Sequence, residues 1–74
     1  MTLDKVEIGK AVMVTAIVGD RPIKRRIMDM GIIKGTELTV RRVAPLGDPI
    51  DITVRGYQLS IRKEDAKNIK VEEI

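Results

Sequence analysis

Residues 50–62 read Ile50-Asp51-Ile52-Thr53-Val54-Arg55-Gly56-Tyr57-Gln58-Leu59-Ser60-Ile61-Arg62. Ile50, Ile52 and Val54 alternate with Asp51, Thr53 and Arg55, and Tyr57, Leu59 and Ile61 alternate with Gln58, Ser60 and Arg62. A period of two puts every second side chain on the same face of a strand. Only Arg55-Gly56 separates the two runs, which is the signal of a tight β-hairpin. Upstream, beyond the loop Pro45-Leu46-Gly47-Asp48-Pro49, Leu38 and Val40 alternate with Glu37, Thr39 and Arg41. Continuing that alternation would turn Arg42 inward and Val43 outward. A charge does not enter an aliphatic core unpaired, so the sequence predicts a bulge or sharp bend near Arg41-Arg42.

Towards the N-terminus, Lys10 to Val18 carries apolar residues at both parities, the pattern of a strand buried on both faces. Leu3, Val6 and Gly9 form a short lead-in to it. Asp20-Arg21-Pro22 reads as a helix start, with Asp20 capping and Pro22 in the first turn. Ile23, Ile27 and Met30 give that helix one apolar stripe, and Gly31 ends it. Ile32-Ile33-Lys34-Gly35 makes the turn out. At the other end, a helical turn over Lys63 to Lys67 leads to a final strand, Ile69-Lys70-Val71-Glu72. Five short strands with one inserted helix predict an all-β fold, a small SH3-like five-stranded barrel, with an OB-like barrel as the alternative. The predicted common core is Leu38, Val40, Ile52, Val54, Leu59, Ile61, Ile69 and Val71.

The chain has 74 residues, so a single domain over 1–74 is expected. There is no Phe, no Trp and one tyrosine, Tyr57, so the core must be aliphatic. An aromatic-lined groove for proline-rich peptides is therefore excluded, and base-stacking platforms for nucleic acid are nearly absent. The 14 Lys and Arg against 11 Asp and Glu give a net charge of +3. That charge permits contact with acidic partners without demanding nucleic acid. With no Cys and no His, there are no disulfides and no thiolate or imidazole ligands. Asp20, Asp29, Asp48 and Asp51 are scattered, and Met28 and Met30 read as packing or interface residues rather than metal ligands. No metal, no cofactor and no catalytic residue is expected: Ser60 lacks a His partner, and no glycine loop has the spacing of a nucleotide-binding P-loop. The acids in Met1–Glu7 do not suit a signal peptide. The apolar-leaning run Ala11–Val18 is far shorter than the ~20 residues that span a bilayer. A cytoplasmic chain without membrane insertion is expected.

The basic cluster Arg21, Lys24, Arg25 and Arg26 falls mostly in the first half of the helix, where cations oppose the helix dipole. Pairing with Asp29 is one reading of these charges; a functional surface is the other. Gly31, Gly35, Gly47 and Gly56 read as structural turns.

Arg26-Ile27-Met28-Asp29-Met30-Gly31-Ile32-Ile33-Lys34-Gly35-Thr36 resembles the signature of the FeoA family. Pro45–Pro49 is similar to that family's loop, and Gly56-Tyr57-Gln58-Leu59-Ser60-Ile61-Arg62 to its hairpin strand. Asp65-Ala66-Lys67-Asn68-Ile69-Lys70-Val71 is similar to its closing segment. The four pieces occur in family order along nearly the whole chain. The resemblance implies an SH3-like barrel and a small cytosolic accessory protein that binds and assists or regulates FeoB, the membrane ferrous-iron transporter. Arg25, Arg26, Met28, Asp29 and Met30 are the candidate partner-binding residues. They are expected to meet an acidic cytosolic surface of FeoB together with the Gly31–Gly35 turn, with Arg25 and Arg26 in solvent. A nucleic-acid-binding barrel is the alternative. So is a stand-alone relative of the C-terminal domain of metal-dependent repressors, whose DNA-reading domain has no room before Gly9. A weak homo-oligomer is compatible with the sequence.

Overall fold

The hairpin at 50–62 organises one antiparallel sheet. In the computed structural model, which describes residues 1–74, the strands are β1 (Ala11–Ile17), β2 (Glu37–Val43), β3 (Ile50–Val54), β4 (Tyr57–Ile61) and β5 (Ile69–Glu73). They lie in the order β4-β3-β2-β1-β5. Helix α1 (Arg21–Asp29) is inserted between β1 and β2, the short α2 (Lys63–Ala66) between β4 and β5, and a 3-10 turn covers Leu3–Lys5. The sheet curls around an aliphatic core as an SH3-like barrel.

The Arg55-Gly56 turn has positive φ at both positions, 50° and 85°, the twist that suits a two-residue hairpin loop. It sets the register Val54↔Tyr57, Ile52↔Leu59 and Ile50↔Ile61. The expected bulge is present: β2 pairs Val40 with Ile52 and then Arg42 with Asp51, so Arg41 is the extra residue. With parity restored, Arg42 stays on the outer face and bonds the Asp51 carboxylate from Nε at 3.2 Å.

Seven of the eight core residues expected from the alternation are buried, at 2% exposure or less. Leu59 is only half-buried and Tyr57 is 43% exposed, because β4 is the sheet's edge and has a neighbour on one side only. Strand β1 also departs from expectation. Val12 and Val14 are buried but Met13 is 40% exposed, so β1 is not buried on both faces. A curled single sheet has one interior, and the outer face of β1 meets solvent. A register shift between Val14 and Ala16 bends the strand and brings Ile17 onto the core. Leu3, Val6, Ile27, Ile32 and Ala66 complete the cluster from outside the sheet.

Candidate functional site

Helix α1 starts as its sequence dictates. The Asp20 carboxylate accepts a hydrogen bond from the Ile23 N–H at 3.0 Å, and Pro22 lies in the first turn. Within α1 only Ile27 is fully buried; Ile23, and Met30 just past the helix, pack against the core from the rim. The rest of the helix faces solvent. So narrow an apolar stripe needs other attachments, and the structure supplies two.

The first is an ion pair between Arg26 and Asp65 of α2. The Asp65 side chain is 3% exposed and that of Arg26 49%. The hydrogen bond from Arg26, and the charge of Asp65, hold the Arg26 guanidinium above its ordinary range. This changes the reading of the basic cluster. Arg26 is exposed, as expected, but it does not pair with Asp29. It is instead a tether to α2, because a buried carboxylate requires a charged or hydrogen-bonding partner. Asp29 makes no ion pair.

The second attachment is the lone tyrosine. Tyr57 Oη donates to the Met30 carbonyl at 2.7 Å, satisfying one of the carbonyls that a helix leaves open at its C-terminal end. Gly31 has φ 87°, and a Cβ there would stand 2.8 Å from Tyr57 Oη. Glycine is thus favoured at this position by both backbone and space. The other three glycines read as turns, Gly35, Gly47 and Gly56, also have positive φ.

What remains free on α1 is a definite surface. Of its four cations, only Arg26 is in an ion pair, so Arg21, Lys24 and Arg25 are exposed and unpaired. Arg21 and Arg25 flank Pro22 at a shallow depression. At the far end of the helix, Met28 (47% exposed) and Ile33 (45%) join Tyr57 as apolar side chains in solvent. A cationic helix face therefore runs into an apolar patch. Arg and Met recur at protein interfaces because the first adds directional donors and the second repacks readily.

Away from α1 in sequence, a cleft of ≈ 570 Å³ lies between the Pro45–Pro49 loop and the outer face of β3 and β4. Its floor is Asp51, which accepts from Ser60 Oγ at 2.6 Å and from Arg42. The Ser60 hydrogen bond, with that of Arg42, holds the Asp51 carboxyl below the usual carboxylate range. The polar side chains there are partnered across the strands, with Ser60 and Arg42 both donating to Asp51. The loop is held by the Asp48 carboxylate, which accepts from the Lys63 N–H at 3.0 Å. No three His, Cys, Asp or Glu side chains gather in a metal-binding group. No helix is long and apolar enough to cross a membrane.

Comparison with known proteins gives a consistent picture. Residues 1–73 match the FeoA domain family. Over 72 residues the chain is 35% identical to a protein of Porphyromonas gingivalis described as an Fe(2+) transport protein A/Fe(2+) transporter FeoB fusion protein. That match covers 97% of this chain but spans only 8% of the relative's length. Among solved structures, an FeoA-like protein from Clostridium acetobutylicum superposes with a TM-score of 0.94 at 49% identity, covering 100% of this chain and 86% of that one. A Stenotrophomonas maltophilia FeoA complexed with zinc, described as a procaryotic SH3 domain protein, superposes with a TM-score of 0.81 at 25% identity, covering 97% and 89% of the two chains.

Proposed function

The chain belongs to the FeoA domain family, and we propose that it is a cytosolic, non-catalytic accessory of ferrous-iron transport that acts by binding the cytosolic region of FeoB. The observation that supports this most is the fusion: in the P. gingivalis relative, a segment similar to nearly all of this chain is joined to an FeoB transporter. Covalent joining holds two modules at high effective concentration, an arrangement suited to modules that work together.

The docking face we propose is the exposed side of α1 and the turn after it. Arg25 presents the charge, Met28, Ile33 and Tyr57 the apolar contact, and Asp29 a single acid among cations. Arg26, half in solvent and tied to Asp65, and the partly buried Met30 border this face. Arg21 and Lys24 stand in the first turn, where the helix dipole disfavours cations, and apart from Arg26 the cations of α1 have no ion-pair partner within the chain. Fold stability does not account for them. An acidic surface on the transporter would. Nucleic acid fits less well, since the cations lie beside a single aromatic ring and single-strand binding relies on several.

Co-purification of the chain with the cytosolic region of FeoB, followed by mapping of amide shifts, tests this reading. Shifts should concentrate at Arg25, Met28 and Ile33, and binding should weaken as salt is raised. A complex whose shifts lie only around the Pro45–Pro49 loop would move the docking face there. Absence of a complex would overturn the reading.

A further inference from the structure

The two edges of the sheet are treated differently. At the β5 edge, the N-terminus lies alongside: Thr2 bridges Lys70, and the Val71 N–H donates to the Met1 carbonyl at 2.8 Å. At the β4 edge nothing does. In a hairpin with a two-residue loop, the closing pair, here Val54 and Tyr57, exchanges hydrogen bonds, and bonded pairs then alternate along the ladder. Leu59 and Ile61 therefore bond to Ile52 and Ile50, while the N–H and C=O groups of Gln58 and Ser60 point away from the sheet. The other side of the ladder agrees with this phase: Val40 bonds towards Gly9 and Lys10, so Thr39 faces β3. No hydrogen bond outside the strand ladders uses a backbone group of Gln58 or Ser60.

Sheet edges are usually guarded by proline, lysine or a covering segment. Tyr57-Gln58-Leu59-Ser60-Ile61 has neither proline nor any charge. It is β-prone, and Tyr57 and the half-buried Leu59 expose apolar surface beside the open backbone groups. We propose that this edge accepts an extended segment of the transporter as a sixth strand, with acidic residues flanking its paired portion. The proposal rests on the FeoB reading above and adds the mode of contact.

The charges select the occupant. Exposed Arg55 and Arg62 bracket the neutral strand, and exposed Lys63 follows. Arg55 sits in the hairpin turn before the strand and Arg62 just past its other end, so a fitting segment carries acids beyond both ends of its paired portion. A second copy of the chain fits poorly. Any antiparallel pairing of two β4 edges brings the Arg55 end of one chain to the Arg62–Lys63 end of the other, and like charges brought together repel. The edge also adjoins the proposed docking face, because Tyr57 touches the end of α1.

Amide hydrogen exchange on the chain with and without the cytosolic region of FeoB tests the inference. The Gln58 and Ser60 amides should exchange at least tenfold more slowly in the complex. The Leu59 amide, already bonded to Ile52, should change little. Gln58→Pro removes an outward N–H without touching the ladder to β3, and should weaken binding at least tenfold. If that variant does not fold, the exchange pattern of the wild-type chain decides alone. Binding with unchanged exchange at Gln58 and Ser60 overturns the inference and leaves the accessory reading intact. No binding overturns both. Protection that rises with the chain's own concentration, in the absence of transporter, makes a second copy the occupant and overturns the acidic segment.

Discussion

Replacing Gly31 by alanine should test how the helix is pinned to the barrel. The backbone there has φ 87°, a conformation that costs an L-residue roughly 1–2 kcal/mol. The added Cβ would also stand 2.8 Å from Tyr57 Oη, closer than packing allows, so the tyrosine must swing away and release the Met30 carbonyl. A hydrogen bond of this kind is worth about 0.5–1.5 kcal/mol. Gly31→Ala should therefore cost about 2–3 kcal/mol. At ~4–8 °C per kcal/mol for a domain of this size, the melting midpoint should fall on the order of 10–20 °C. Tyr57→Phe removes the same hydrogen bond and also the colliding oxygen. The two changes should thus be less than additive: urea denaturation of both single variants and the double variant should give a coupling of about 0.5–1.5 kcal/mol. Additive effects would refute the claim that Gly31 and Tyr57 form one joint.

Other consequences follow from burial and charge. Ile61 is 1% exposed, so Ile61→Ala should cost about 2–5 kcal/mol; Leu59, half-buried on the edge strand, should cost only about 1–2 kcal/mol on truncation, since less apolar surface returns to water. Chemical denaturation of the two variants checks the order. Asp51 is held below the usual carboxylate range by Ser60 and Arg42, so its stabilising contribution is present above the unfolded value near ~3.9 and is lost as pH falls through the lower folded value. The stability difference between wild type and Asp51→Asn should hold steady above about pH 5 and shrink below about pH 4. A difference independent of pH down to 3 would contradict that account.

Much of the barrel was legible because each strand carries its face in its own alternation. The bulge at Arg41 could be foreseen because Arg42 would otherwise have entered the core. What the alternation could not show was which strand would be the edge. That is a property of sheet order, and it is why Leu59 and Tyr57 are more exposed than their parity implies. β1 misled for a related reason: apolar residues at both parities resemble a two-sided burial, yet Met13 looks outward because a curled sheet has only one interior. At the candidate site, the helix, its cap and its stop were local signals and were readable. The partner of Arg26 was not. Asp65 lies 39 residues away, and the nearer Asp29 offered the obvious pairing. The pinning role of Tyr57 was also hidden, although an isolated tyrosine in a chain without other aromatics was a hint that its hydroxyl had work to do.

The central claim, that the free cationic face of α1 docks on the transporter, is tested most directly by measuring the affinity of Arg25→Glu for the cytosolic region of FeoB beside wild type. Arg25 is exposed and unpaired, so its reversal should leave the stability within about 0.5 kcal/mol of wild type. Arg26→Glu is the internal contrast: it places a second carboxylate against buried Asp65 and should destabilise the fold itself. The account predicts that folded Arg25→Glu binds about tenfold more weakly, a difference of about 1.4 kcal/mol, with the gap narrowing at high salt. A folded Arg25→Glu chain that binds FeoB as tightly as wild type would contradict it.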